Sequence, residues 1–103
     1  MGKLKIDLTW RPYIEQTAIT TSASSQSSAA FGAQTYAIRL GVSSGTATSG
    51  MHFSIGATPT ATANSPYMPA GAVEYVAVRP GEKVAILDDN AIGLKVSITE
   101  LTH

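Results

Sequence analysis

The residues that could do chemistry in this sequence are few. The chain has two histidines and no cysteine, so disulfides, thiolate zinc sites, iron–sulfur clusters and thiol catalysis are excluded. His52 alternates with Met51, Phe53 and Ile55, so we expect it on the opposite face of a strand, directed to solvent or to an interface. His103 is the last residue given. Neither histidine belongs to a recognisable triad or nucleophile-elbow motif.

The carboxylates also lack a catalytic pattern. Glu74, Glu82 and Glu100 fall at separate predicted strand ends, which is not typical of an acid–base pair. The run from Asp88 to Asn90 lacks the glycine and the distal glutamate of a helix-loop-helix calcium site, and we interpret it as a solvated turn. The glycine-containing loops lack the lysine of a phosphate-binding loop. We therefore expect no enzyme activity, no catalytic residue, no bound metal and no cofactor.

Composition narrows the possible partners. A chain of 103 residues has room for one domain. Seven Lys and Arg balance seven Asp and Glu, and only 14% of residues are charged, which argues against binding nucleic acid or a membrane surface through bulk charge. We expect no transmembrane helix and no secretory signal. A weakly charged surface suits a protein packed against another, although an unspecialised small domain is the alternative.

The apolar residues repeat with a period of two, which predicts an all-β chain. Two denser β-branched runs, 73–78 and 83–87, are typical of strands buried on both faces. The other predicted strands are 3–8, 35–42, 51–55 and 94–99, with a weaker candidate at 18–21. About seven short strands with turns at this spacing predict a small antiparallel β-sandwich or jelly-roll-like barrel.

Turn residues predict how these strands are connected. Arg79-Pro80-Gly81-Glu82 is a tight-turn sequence, and we expect it to join 73–78 to 83–87 as a hairpin. Further turns are expected at 43–50 and 88–93.

Two segments are longer than the connections that a minimal β-sandwich requires. Residues 22–30 are rich in serine, and 57–71 form a long connection with three prolines. We predict one domain in which residues 1–33 are an N-terminal strand and a serine-rich arm, and residues 34–103 form the sandwich. The arm packs either on its own domain or on a neighbouring subunit, and we favour the neighbour.

Two sequence patches have the residue types that anchor protein interfaces. The first patch contains Trp10, Arg11, Tyr13 and Ile14. Its alternative is that Trp10 continues the apolar face of the first strand and fills the core. The second patch contains Pro66, Tyr67 and Met68. The prolines on either side of Tyr67 and Met68 restrict the backbone, so these residues lose little conformational entropy on binding. Its alternative is a loop that caps one end of the sandwich.

From residue 29 onward the chain contains six short segments whose sequence and order can be compared with those of known proteins. They are AFGAQTYAIR at 30–39, HFSIGATPTAT at 52–62, SPYMPAG at 65–71, EY at 74–75, PGEKVA at 80–85 and VSITEL at 96–101. In these segments, and in their order, the chain resembles small structural proteins of tailed bacteriophage particles. Among those proteins, capsid decoration (cement) proteins are the most similar in size.

The resemblance implies a non-enzymatic virion protein on the capsid surface, made in the host cytoplasm. Such a protein would stabilise the shell by binding across major capsid protein subunits, as a homo-oligomer that is either a dimer or a trimer. The resemblance assigns no role to any individual residue.

Two other functions stay open. The chain could be a neck or tail adaptor, or a minor tail component, and copy number in the particle separates these from a decoration protein. It could instead be a carbohydrate-binding module, in which Tyr67, Tyr75 or Trp10 would be the stacking platform.

Overall fold

The structure, a computed structural model, describes residues 11–45, 48–89 and 93–102. Strands account for all of the regular secondary structure in these ranges, which confirms the predicted all-β class. None of the described residues forms a helix that is long and apolar enough to cross a membrane. The strands are β1 (Arg11–Glu15), β2 (Ile19–Thr20), β3 (Gln26–Ser27), β4 (Ala37–Val42), β5 (Gly50–Gly56), β6 (Tyr67–Pro69), β7 (Val73–Ala77), β8 (Lys83–Asp89) and β9 (Lys95–Thr102).

The strands form two antiparallel sheets that pack face to face. Sheet I has the order β1-β9-β4-β7, and the short β2 also pairs with β9. Sheet II has the order β3-β8-β5-β6. When β1 and β2 are counted as one interrupted strand, each sheet has four strands, and the chain passes between the sheets in the order of a jelly roll.

The core lies between the sheets and follows from the period-two pattern. On β4, Ile38, Leu40 and Val42 are buried, while the alternate residues face outward. Sheet II supplies the opposite wall of the core. Among the described residues, the completely buried apolar side chains are Ile38, Leu40, Met51, Met68, Val84, Ala85, Ile86, Val96 and Ile98.

The predicted hairpin between β7 and β8 is wrong. The turn itself forms as expected: Gly81 has a φ of 86°, and the backbone N–H of Glu82 donates to the Arg79 carbonyl at 3.1 Å. However, β7 pairs with β4 in sheet I, whereas β8 pairs with β5 and β3 in sheet II. Proline and glycine fix the geometry of a turn, but the choice of strand partner depends on packing elsewhere.

The prediction that residues 73–78 are buried on both faces is also wrong. β7 is the last strand of sheet I, and Val76 is its one residue with substantial burial. Val73 is 47% exposed and Tyr75 is 69% exposed. The other dense run, in β8, lies inside sheet II, where Val84, Ala85 and Ile86 are buried as predicted.

The described part of the predicted arm packs on its own domain. β1 and β2 pair with β9, and β3 pairs with β8. In the serine-rich stretch, the Ser28 N–H donates to the Val84 carbonyl at 2.8 Å, and the Ser28 hydroxyl accepts from the Val84 N–H at 3.0 Å. The Ser28 hydroxyl thus extends the hydrogen bonding between this stretch and β8 of sheet II. The predicted strand at 3–8 lies outside the described residues.

Candidate protein interface

The first predicted patch lies on β1, at one edge of sheet I. Trp10 lies outside the described residues, whereas Arg11, Tyr13 and Ile14 are exposed. A register shift between Pro12 and Ile14 marks a β-bulge, which brings two consecutive side chains toward the same neighbour. A Cβ atom built on Gly32 would lie 3.2 Å from Ile14 and 3.3 Å from Tyr13. The absence of a side chain at residue 32 therefore leaves room for both.

The second predicted patch lies at an edge of sheet II and is only partly available. Pro66 and Tyr67 are exposed, but Met68 is completely buried. The assignment of Met68 to an interface is therefore corrected: the alternation within β6 directs its side chain into the core. The Tyr67 hydroxyl donates to the Ser49 carbonyl at 3.2 Å. The two predicted patches lie on different sheets, and the structure does not bring them together.

A third surface, which the sequence patches did not include, lies on the outer face of sheet I. Here β4 runs between β7 and β9, and its outward residues are flanked on both sides. Arg39 lies between Tyr75 of β7 and Thr99 of β9. Ala37 lies between two apolar residues, the small Ala77 of β7 and the branched Leu101 of β9.

These residues line an open groove of about 650 Å³, which we call the outer groove. Its lining consists of Pro12, Ala37, Arg39, Tyr75, Val76, Ala77, Thr99 and Leu101. The lining is mostly apolar, with one cation and one exposed aromatic ring. A Cβ built on Gly41 would lie 3.6 Å from Nη1 of Arg39, so the guanidinium extends along β4 over this glycine.

The alternation within β4 already indicates part of the outer groove. Arg39 alternates with the buried residues Ile38 and Leu40, so its strand position already directed it outward. The small neighbours Ala37 and Gly41 on the same face leave its side chain uncovered. Tyr75 could not be placed in this way, because its exposure depends on β7 being an edge strand.

A buried carboxylate on β9 links separate segments of the chain through hydrogen bonds. Glu100 is 1% exposed, and its oxygens accept three hydrogen bonds. Oε1 accepts from the Thr35 hydroxyl at 2.6 Å and from the Gly32 N–H at 2.8 Å, and Oε2 accepts from Nε2 of Gln16 at 2.8 Å. Donors from two separate chain segments thus satisfy the buried oxygens of this side chain. The arrangement anchors the described part of the arm to β9.

His52 is also buried, which corrects the expectation of a solvent-facing or interface residue. Its side chain does lie on the face opposite Met51, but the connection before β6 covers it, and it is 8% exposed. Nδ1 lies 2.9 Å from the Ser65 carbonyl oxygen, and Nε2 lies 3.3 Å from Oδ1 of Asp89. The Tyr67 ring packs beside it at 5.4 Å between centroids. Nδ1 therefore holds this connection against sheet II, and Nε2 links β5 to β8 within the sheet.

Within residues 11–45, 48–89 and 93–102, no group of three or more His, Cys, Asp or Glu side chains is placed to hold a metal ion. Comparison of the chain with protein families, with curated proteins and with solved structures finds no match.

Proposed function

We propose that this protein is a non-enzymatic structural protein of a tailed-phage virion, which decorates the capsid by binding across major capsid protein subunits. The six sequence segments between residues 30 and 101, which resemble those of small phage structural proteins, support the virion assignment. The jelly-roll strand order supports it by analogy of fold, since this architecture occurs in viral capsid and lectin domains.

The observation that carries the binding part of the proposal is the outer groove. Pro12, Tyr75 and Ala77 of its lining are exposed, whereas Ala37 and Leu101 are buried and form its floor. These residues lie on paired strands, where docking costs little conformational entropy. Tyrosine and arginine are the side chains that most often dominate binding energy, and Tyr75 and Arg39 are neighbours across β7 and β4. A partner that covers this groove would remove the most exposed large apolar side chain from water.

Stabilisation of a shell follows from mass action. A protein that binds assembled subunits, and not free ones, shifts the equilibrium toward the assembled shell. Because a closed shell repeats the same contact many times, one small protein with one binding face can occupy every equivalent position. No catalytic group is required for this role.

The experiment is binding of the purified chain to undecorated capsids, built from the major capsid protein of the same phage, in a co-sedimentation assay. Arg39→Ser should weaken binding at least ten-fold, because it removes the cation that lies in the groove. Arg79→Ser is the matched control: it removes the same charge from the exposed turn after β7 and should bind like the wild type. Equal affinities for the two variants would contradict the assignment of the outer groove.

A carbohydrate-binding function is the second candidate, and the exposure of Tyr75 favours it. This ring is 69% exposed beside the groove, whereas Tyr67 is partly engaged through its hydroxyl and its packing against His52. Binding to a glycan array that is lost in Tyr75→Ala, without binding to capsids, would favour this candidate over the first.

A further inference from the structure

Among the described residues, β7 is the last strand of sheet I, and one of its edges has no strand partner. On the β4 side, the Val42 N–H donates to the Ala72 carbonyl and the Val78 N–H donates to the Tyr36 carbonyl, both at 3.0 Å. Hydrogen bonding in an antiparallel pair alternates, so residues 74 and 76 also direct their backbone groups toward β4. The odd residues of β7 therefore direct their N–H and C=O groups away from β4. No described strand pairs with that side.

The other sheet edges are protected in ways that β7 is not. β1 contains Pro12 and a bulge, and β6 has three residues and ends at Pro69. β2 and β3 have two residues each. Short strands, prolines and bulges are the usual means by which an edge avoids pairing with another chain. β7 has five residues in regular register, without proline or lysine.

We propose that β7 pairs with β7 of a second copy of this chain, in an antiparallel two-fold dimer with Tyr75 opposite Tyr75. In this register Val73 lies opposite Ala77 of the second copy, and each outward-facing residue exchanges both of its backbone hydrogen bonds. Sheet I then continues from one copy into the other.

Charge and shape favour this register and a second copy as the occupant. Glu74 is the charged residue of β7, and the two-fold pairing places it opposite Val76 of the second copy. The neighbouring register that pairs Val73 with Tyr75 of the second copy would place the two Glu74 carboxylates opposite each other, which is unfavourable. The larger Val73 meets the smaller Ala77, and the formal net charge of zero means that two copies do not repel each other. The pairing also places Val73 beside Ala77 and Tyr75 beside Tyr75 of the second copy, on the same outer face of the sheet; Val73 and Tyr75 are 47% and 69% exposed in the single chain.

This inference goes beyond the proposed role on the shell and stands without it. It concerns the dimer in solution, so failure to bind capsids does not affect it, and failure to dimerise does not affect the outer-groove proposal.

Single cysteines test the register, because the chain has no cysteine of its own. In Tyr75→Cys the paired Cα atoms would be about 5.5 Å apart, which is within reach of a disulfide. In Val73→Cys, the matched control on the same face, the two cysteines would be separated by four residues of strand, or roughly 14 Å. Under mild oxidation of the full chain, we expect a covalent dimer for Tyr75→Cys and none for Val73→Cys. The reverse result, or no covalent dimer of Tyr75→Cys, would overturn the proposal.

A proline tests the backbone pairing. Ala77→Pro removes an N–H that faces the open edge, where proline is compatible with a strand. We expect the wild type to sediment at twice the 10.7 kDa chain mass. Ala77→Pro should sediment as a monomer, and its circular dichroism spectrum should show that it is folded. Ala77→Ser, which keeps the N–H, should remain a dimer. A monomeric wild type at tens of micromolar, or a dimeric Ala77→Pro, would overturn the proposal.

Discussion

At the scale of single residues, close approaches of side chain to backbone determine which groups reach the surface. The Tyr67 ring of β6 lies directly over Gly50 of β5, so closely that a Cβ at residue 50 would fall well inside 3.0 Å of the ring. The ring also packs beside His52, which is held between the Ser65 carbonyl and Asp89. A glycine without a side chain thus allows an aromatic ring to close this end of sheet II.

Substitution of Gly50 tests this packing. We expect Gly50→Ala to lower the free energy of unfolding by about 1–3 kcal/mol, because the new methyl group must displace the Tyr67 ring. Gly56→Ala, at the other end of β5, is the matched control, because a Cβ there meets no atom within 4 Å. Its free energy of unfolding should stay the same or rise by up to about 1 kcal/mol. Equal destabilisation of the two variants in urea titrations would contradict the packing.

Burial of individual residues could be predicted only where the strand alternation alone decides it. The pattern correctly put Ile38 and Leu40 inside and His52 on the face opposite Met51. It could not indicate that the connection before β6 folds over His52, because nothing local to residue 52 encodes that contact. Met68 was misassigned for a similar reason, since its neighbouring prolines suggested an exposed loop and not a strand with one buried position.

At the scale of elements, β9 organises sheet I. It pairs with β4 on one side and with β1 and β2 on the other, and it carries the buried Glu100. The hydrogen bond from Gln16 holds the segment after β1, and the Gln16 amide itself pairs with the backbone of Ala29. The bonds from Gly32 and Thr35 hold the segment before β4. One carboxylate thus connects three segments of the chain.

Neutral replacement of Glu100 tests this connection. In Glu100→Gln, an NH₂ group would face the Nε2 donor of Gln16, whose orientation is fixed by the Ala29 N–H. We expect the free energy of unfolding to fall by about 1–3 kcal/mol, because a buried donor loses its acceptor.

The control is Glu15→Gln on β1. Glu15 is exposed and accepts from the Thr99 hydroxyl at 2.7 Å, which an amide oxygen can also do. This variant should stay within about 0.5 kcal/mol of the wild type. If both variants had the same stability in chemical denaturation, the account of Glu100 as an anchor would be contradicted.

The sequence predicted strand positions better than strand partners. Alternation located β4, β5 and β9 closely, since apolar residues on one face must be buried. The turn at Pro80 and Gly81 was also recognised, yet its two strands belong to different sheets. Pairing depends on contacts between residues far apart in the chain, and the exposure of β7 depends in turn on that pairing.

At the scale of the whole molecule, the described β-sandwich presents the mostly apolar outer groove, and the chain as a whole is weakly charged. Only 14% of the residues are charged, and the formal net charge is zero, so long-range electrostatic attraction contributes little to recognition. Recognition must then depend on shape and apolar contact, which the outer face of sheet I offers at Arg39 and Tyr75. These properties suit a protein that remains bound within an assembly, as the virion proposal requires.

The measurement that tests this proposal most directly is the copy number of the chain relative to the major capsid protein, determined by quantitative mass spectrometry of purified phage particles. The proposal predicts a copy number of the same order as that of the major capsid protein, because every equivalent position on the shell would be occupied. A handful of copies per particle would instead indicate the neck or tail. Absence from the particle would contradict the virion function.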